Sequence, residues 1–176
     1  MKCAVIGTHS TGKSTLIQDV ASRLTGHNIG IVPEVVREIG VPVNKRSNLE
    51  AQSRILDAQI AFEEAQDADI VLCDRSVLDN YCYLYNIYGG DHPEHFSRVC
   101  NHLSTYDVLF LTTVDPQKMP QSDGFRDTDR DFQMRIQTIL HRKLEDLEVF
   151  LTEQGLQVIP VSSAEQMHDH IRGMLE

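Results

Sequence analysis

Near its start the sequence carries a run with the spacing G-x-x-x-x-G-K-S, between Gly7 and Ser14. This spacing is the phosphate-binding P-loop: its glycines let backbone N–H groups surround a phosphate, and the helix that follows favours negative charge. Lys13 is expected to reach the β- and γ-phosphates of a nucleotide, and the Ser14 hydroxyl to bind Mg²⁺. The His9 side chain occupies a variable position and receives no role of its own. The predicted phosphate-binding residues are Gly7, His9, Ser10, Thr11, Gly12, Lys13, Ser14 and Thr15.

Charged residues follow the next two apolar runs. Asp74 and Arg75 come directly after residues 69–73. Asp74 stands where a carboxylate completes the Mg²⁺ shell through water, although an aspartate there would also suit a helix N-cap. Arg75 is suited to hold an acceptor phosphate or the group in transfer.

Glu34 follows the apolar run Gly30-Ile31-Val32 and is preceded by Pro33, which stiffens the turn. A carboxylate here can accept the proton of an acceptor hydroxyl, and the alternative is a solvated loop glutamate. Arg37 lies one helical turn further on, where it would face the same cleft. Glu34, Arg37 and Arg75 are therefore predicted acceptor-site residues.

A polar segment at about 118–131 is predicted to be a lid. Gly124 supplies a hinge, and Arg126 and Arg130, four residues apart, would share one helical face toward the phosphates. The alternative is an exposed charged loop whose arginines pair with nearby aspartates. Tyr81 heads a tyrosine series at helical spacing, which either forms the floor of an acceptor pocket or simply packs.

The elements that must position these residues alternate along the chain. Apolar runs predict five strands, separated by amphipathic helices, which indicates an α/β fold with a parallel sheet covered by helices on both faces. The strands are expected at 2–6, 30–32, 69–73, 107–112 and 156–161. Helices are expected from the P-loop to Leu24, from Ser47 or Asn48 onward, after Asp74 until Gly89, over 128–154 and over 163–175, with a mixed loop and short helix at 91–105.

The composition narrows the class of protein. A chain of 176 residues with 41% hydrophobic residues suits one domain, 1–176, with one buried core. A net charge of −10 argues against a nucleic-acid polymer as partner. The four scattered cysteines indicate a reduced, cytoplasmic protein. His92-x-x-His95, with Pro93 between the two histidines, is expected to lie in a loop that holds no metal ion. No signal peptide or membrane span is expected, and homodimer formation stays open.

On these motifs the chain resembles the P-loop nucleoside and nucleotide kinases. It is most similar to the ribosylnicotinamide-kinase-like group of small AAA-type ATPase/kinase domains. The matching features are the P-loop, residues 32–38, Asp74-Arg75-Ser76, Tyr106-Asp107 and Asp123-Gly124-x-Arg126. Pro33-Glu34 and Asp74-Arg75-Ser76 also resemble the deoxynucleoside kinases, whose base is the strand-two glutamate and whose third strand ends in Glu-Arg-Ser; thymidylate kinases carry Asp-Arg there.

The resemblance implies a three-layer P-loop NTPase fold with strand order 2-3-1-4-5. It also implies Mg²⁺ as cofactor, ATP as donor, and Arg126 and Arg130 as lid residues. The function expected is transfer of the γ-phosphoryl group to a nucleoside, nucleotide or nucleoside-like acceptor. Lys13, Glu34, Asp74, Arg75, Arg126 and Arg130 would be catalytic, with either Glu34 or Asp74 as base. The alternative is a regulatory P-loop ATPase or nucleotide switch that acts on a protein partner.

Overall fold

A computed structural model describes residues 1–41, 47–115 and 129–176, and in them a five-stranded sheet lies between helices. The strands are β1 (Lys2–Ile6), β2 (Ile29–Val32), β3 (Ile70–Asp74), β4 (Val108–Leu111) and β5 (Gln157–Pro160). The helices are α1 (Lys13–Arg23), α2 (Val35–Ile39), α3 (Leu49–Glu64), α4 (Val77–Tyr88), α5 (Pro93–Leu103), α6 (Arg130–Asp146), α7 (Glu148–Glu153) and α8 (Ala164–Leu175).

The strand order is β2-β3-β1-β4-β5, and every described pair is parallel. This confirms the expected fold and order. Ala4 of the central strand is opposite Cys73 on one side and Leu109 on the other. The carboxyl ends of β1, β2 and β3 therefore meet at one edge, which is where open α/β sheets bind their ligands.

The side chains of the strands supply a separate core on each face of the sheet. Because successive side chains of a strand point to opposite faces, Ala4 and Ile6 pack on one side while Cys3 and Val5 pack on the other. Helices α1 and α8 cover the second face, and α3, α4, α5 and α6 cover the first. Burial on both faces explains why β1, β3 and β4 have continuous apolar sequences.

The sequence predicts one continuous helix at 128–154. This prediction is wrong, because two helices occupy the stretch. The first ends at Asp146, and Leu147, at φ −96° and ψ 1°, separates it from the second. Leu147 and Leu151 are both buried at helical spacing. The apolar pattern therefore runs through the break and conceals it from the sequence.

The segment interpreted as a loop around His92 is largely helical. His92 is the N-cap of α5 and Pro93 its first residue, a position that proline favours because it needs no N–H partner there. The His92 and His95 rings contact each other, Nδ1 to Nδ1, at 2.9 Å. In the part of the chain that the structure describes, no cluster of three or more His, Cys, Asp or Glu side chains is arranged to hold a metal ion.

The four cysteines are free thiols, and Cys3, Cys73 and Cys82 are buried. Burial is the main reason that the pKa of the Cys82 thiol is raised well above its usual range. None of the helices within 1–41, 47–115 and 129–176 has the length and apolar character that a membrane span requires.

Candidate active site

The P-loop connects β1 to α1 in a conformation that only glycine tolerates at its first position. Gly7 has φ 144°, and a Cβ atom there would lie 2.3 Å from the Thr112 hydroxyl. Helix α1 begins with neither a side-chain cap nor an acidic residue in its first turn. Its free N–H groups and partial positive charge therefore face the loop, an arrangement that binds phosphate.

Lys13 is buried in this loop. Its ammonium donates to the Thr8 carbonyl at 2.6 Å and to the Thr11 hydroxyl at 3.3 Å. Burial, followed by the positive charge of Arg75, lowers the pKa of Lys13 from 10.5 to about 7, against the opposing effect of Asp74, Asp79 and Glu34. An anionic ligand in the loop would restore the charged form of this lysine.

Ser14 and Asp74 are brought together as the P-loop pattern predicts, with the Ser14 hydroxyl donating to Asp74 Oδ2. The other oxygen of Asp74, Oδ1, is buried and has no hydrogen-bond partner in the described part of the chain. Oxygen donors of this kind fit Mg²⁺, which keeps several waters and takes few protein ligands. Asp74 ends β3 and does not cap α4, because Ser76 is the N-cap of that helix.

Glu34 lies at the N-terminus of α2 and is held by two arginines. Arg75 approaches Glu34 Oε1 at 2.8 Å, and Arg37 donates to Glu34 Oε2 at 3.0 Å. The Arg75 side chain is 7% exposed and that of Arg37 is 39% exposed. Arg75 is therefore a fixed part of the site, whereas Arg37 is accessible to a ligand.

Arg75 adopts a left-handed backbone with φ 88°, unusual for a residue with a long side chain. Its guanidinium donates to the Gly7 carbonyl at 3.4 Å and lies 5.3 Å from the Tyr83 ring centre. Burial disfavours its charged form, but Tyr83, Glu34, Asp79 and Asp74 outweigh this effect and raise the pKa of Arg75 well above its ordinary value. The strained backbone thus aims a permanent positive charge at the P-loop.

Asp79 is a site residue that the sequence interpretation missed. One oxygen accepts the Gly7 N–H at 2.8 Å, while the other accepts the N–H and hydroxyl of Ser76 at 2.9 Å. Burial raises the pKa of Asp79 despite the lowering effect of Arg75 and Lys13. The signal for it was present, since Ser76 and Asp79 have the S-x-x-D spacing of a capping box.

Two cavities flank the P-loop. One, of about 410 Å³, lies on the β2 side and is lined by residues that include Lys13, Ser14, Glu34, Arg37 and Asp74. The other, of about 630 Å³, lies on the β5 side and is lined by Thr11, Gly12, Thr15 and residues of the ranges 112–115 and 161–164. Of the predicted charged residues after β2 and β3, Glu34, Arg37 and Asp74 line the β2-side cavity, and Arg75 bonds Glu34.

The expected lid falls mostly outside the described residues, and Arg126 lies there with it. Arg130 is described and is the first residue of α6. Its guanidinium donates to Gln133 Oε1 at 2.9 Å and to the Asp115 carbonyl at 3.3 Å. Gln133, which the sequence did not single out, also contacts the P-loop.

Tyr81 is placed among other side chains and does not line either of these two cavities. Its hydroxyl donates to Asp91 at 2.8 Å, and its ring lies 5.2 Å from that of Phe96. These contacts support the packing interpretation. Tyr83, two residues further on, is the tyrosine of α4 that contacts both Arg75 and His9.

Comparison with known families and solved structures supports the fold of the chain. A family model described as an AAA domain matches residues 2–167. A search of curated proteins gave no match. Among solved structures, the NadR protein in complex with NAD and AMP-PNP aligns with a TM-score of 0.71 and 16% identity over 98% of this chain. The chain spans about half of that protein, 48% of its length.

Two thymidylate kinases align over their greater part. The enzyme from Ehrlichia chaffeensis has a TM-score of 0.62 and 16% identity, with 100% of this chain and 98% of that chain covered. The enzyme from Candida albicans has a TM-score of 0.63 and 14% identity, with 99% and 90% covered. At these identities the likeness concerns the fold alone, which is a P-loop NTPase fold.

Proposed function

Because the chain belongs to this AAA domain family and has a P-loop NTPase fold, we propose that it is an ATP-dependent kinase. It transfers the γ-phosphoryl group to a nucleoside, nucleotide or nucleoside-like small molecule. The structural neighbours named above include thymidylate kinases and a protein crystallised with AMP-PNP, an ATP analogue, and they support this class of donor and acceptor.

The observation that carries the proposal is the pair of cavities on either side of the P-loop. A nucleotide whose phosphates follow the loop places its base and sugar on the β5 side, and its terminal phosphate at Lys13 and Ser14. The β2-side cavity, lined by Glu34 and Arg37, then lies next to the terminal phosphate. A switch that only hydrolyses its nucleotide has no need of this second cavity.

In the reaction, an acceptor oxygen forms a bond to the γ-phosphorus while the bond to the oxygen that bridges the β- and γ-phosphates breaks. The acceptor's proton passes to a carboxylate, Glu34 or Asp74. Lys13 and Arg75 supply positive charge near the oxygens of the group in transfer, and Arg130 begins the helix that follows the lid segment. Catalysis of this kind consists mainly of positioning and charge stabilisation.

Mg²⁺ would be held by the Ser14 hydroxyl and, through water, by Asp74. Held there, it would neutralise part of the charge on the phosphate groups. Glu34 lines the β2-side cavity and is held there by Arg37 and Arg75, so it is placed to orient an acceptor hydroxyl. Asp74 Oδ1, which lacks a partner among the described residues, is the other candidate for the proton.

The proposal extends to partners and location. The acceptor is a small molecule, and the net charge of −10 supports the view that no nucleic-acid polymer or membrane surface takes part. We place the protein in the cytoplasm. A homodimer is the oligomeric form to test for.

The test is a screen for ADP release with ATP, Mg²⁺ and single acceptors: nucleosides, nucleoside monophosphates and ribosylnicotinamide. At least one acceptor should raise ADP release above the acceptor-free rate in the wild-type protein. Lys13→Ala should abolish this increase. If no acceptor raises the rate, the kinase proposal fails and the alternative, a nucleotide switch with a protein partner, takes its place.

A further inference from the structure

Gln133, in the first turn of α6, contacts the P-loop and the start of its own helix with the same side chain. Its amide nitrogen donates to the His9 carbonyl at 2.7 Å, and its amide oxygen accepts from Arg130 at 2.9 Å. The orientation of the amide is fixed, because a guanidinium can only donate and a carbonyl can only accept. Gln133 is 2% exposed, so water does not substitute for either partner.

The backbone of Gln133 makes a further contact with the loop. Its carbonyl accepts the Thr8 hydroxyl at 3.2 Å. The neighbouring Phe132 ring lies 5.7 Å from the His9 ring, and Tyr83 bonds the same imidazole at 3.2 Å. Two consecutive P-loop residues, Thr8 and His9, are thereby attached to α6.

From these contacts we propose that Gln133 is a positioning residue that couples the conformation of the P-loop to the beginning of α6 and to Arg130. A phosphate bound by the loop fixes the peptide at His9, and the Gln133 amide transmits this constraint to Arg130. The inference rests on nucleotide binding at the P-loop, the first half of the proposed function. Gln133 holds Arg130 in this proposal and does not itself contact the nucleotide.

The chain offers a matched control in Gln137, one turn further along α6. Gln137 is also buried, and its amide nitrogen bonds His141 at 2.7 Å. Gln137→Met and Gln133→Met therefore remove the same groups from the same helix at similar burial. Only Gln133→Met removes the described bond to the P-loop.

The experiment measures amide hydrogen exchange of residues 130–137 with and without Mg²⁺ and AMP-PNP, in the absence of any acceptor. In the wild-type protein and Gln137→Met, the nucleotide should slow exchange about tenfold, the effect of one well-made hydrogen bond. In Gln133→Met this slowing should be lost. Gln133→Glu, which keeps an acceptor for Arg130 but has no donor for His9, should also lose it.

Slowing of wild-type size in Gln133→Met or Gln133→Glu would overturn the inference. If Gln133→Met does not fold, Gln133→Glu decides alone. A wild-type protein that binds AMP-PNP without slowed exchange in 130–137 would likewise overturn the inference and leave the kinase proposal standing. Slowed exchange together with a negative acceptor screen would support the inference and remove the kinase proposal.

Discussion

Two buried glutamates, Glu34 and Glu63, differ in their surroundings: Glu34 bonds Arg75 directly, whereas Glu63 is connected to it only through Gln59. Glu34 holds the guanidinium of Arg75 and lines the β2-side cavity. Glu63 accepts four hydrogen bonds, from Lys2, Gln59, His102 and Tyr106. Gln59 also donates to the Arg75 carbonyl at 3.4 Å.

The difference shows how the surroundings of a buried glutamate decide whether its role is structural or chemical. Burial raises the pKa of Glu63, but hydrogen bonds from His102, Tyr106 and Gln59 outweigh it and lower the pKa overall. Gln59, His102 and Tyr106 are buried, and Lys2 is partly exposed at the start of β1, so Glu63 joins α3, α5 and β1. Glu34 borders a cavity and has one partly exposed partner, Arg37. A ligand can therefore replace part of its surroundings.

The largest effect is expected at Glu34. Glu34→Gln should reduce acceptor-dependent transfer by about 100-fold or more, because the carboxylate that orients or deprotonates the acceptor is lost. Affinity for AMP-PNP, measured by titration calorimetry, should change little. The exposed Glu38→Gln, on the same helix, is the control. Full transfer in Glu34→Gln would give the role of base to Asp74, in which case Asp74→Asn should show the larger loss.

Glu63→Gln should act on stability instead. Removal of a buried charge from its partners should lower the free energy of unfolding by about 3 kcal/mol, measured by urea denaturation. Transfer per folded molecule should stay near the wild-type rate, and the exposed neighbour Glu64→Gln should change neither property. A tenfold loss of transfer at full stability would show that the two glutamates do not divide these tasks.

The pH dependence of nucleotide binding should report on Lys13. Because burial and Arg75 lower its pKa to about 7 and bound phosphate raises it, binding takes up a proton above pH 7. AMP-PNP affinity should therefore fall as the pH rises from 7 to 9, by at most about tenfold per pH unit. Lys13→Arg keeps its charge and should bind with a flatter profile. An equally steep decline in Lys13→Arg would assign the dependence to another group.

The smallest effect is expected at the N-cap of α4. Ser76→Ala should cost about 1 kcal/mol of stability, and so should Ser163→Ala, which removes the N-cap of α8. Only Ser76→Ala should also slow transfer, since Ser76 follows the strained Arg75 and bonds Asp79. Equal transfer rates in the two variants, corrected for folded fraction, would show that the capping box does not contribute to transfer.

The sequence predicts most of the fold because the local signals agree with one another. The P-loop lies between an apolar strand and an amphipathic helix, and the charged residues that follow β2 and β3 come together at the sheet edge. Ser14, Asp74, Glu34 and Arg75 were predicted in this way, and the structure pairs Ser14 with Asp74 and Glu34 with Arg75 beside the P-loop. The sequence pattern predicted the wrong structure at Leu147, because the apolar spacing there continues through the break between two helices.

The residues that the sequence did not reveal depend on contacts between distant segments. Tyr83 is one of several tyrosines, and only the fold shows which of them faces Arg75. Gln133 has no motif, and its bond to His9 joins positions 124 residues apart. The Asp79 carboxylate carried a local signal as part of a capping box, but its bond to Gly7 did not.

The central place of β1 has a consequence for synthesis on the ribosome. Strand β1 emerges before β3 and β4, with which it pairs, so its partners are complete only when residue 111 has been made. At a synthesis rate of about 5–20 residues per second, several seconds pass between the synthesis of the P-loop and that of the side chains that shape it. A nascent chain that stops before residue 130 contains the entire G-x-x-x-x-G-K-S motif but lacks the glutamine that binds its third residue.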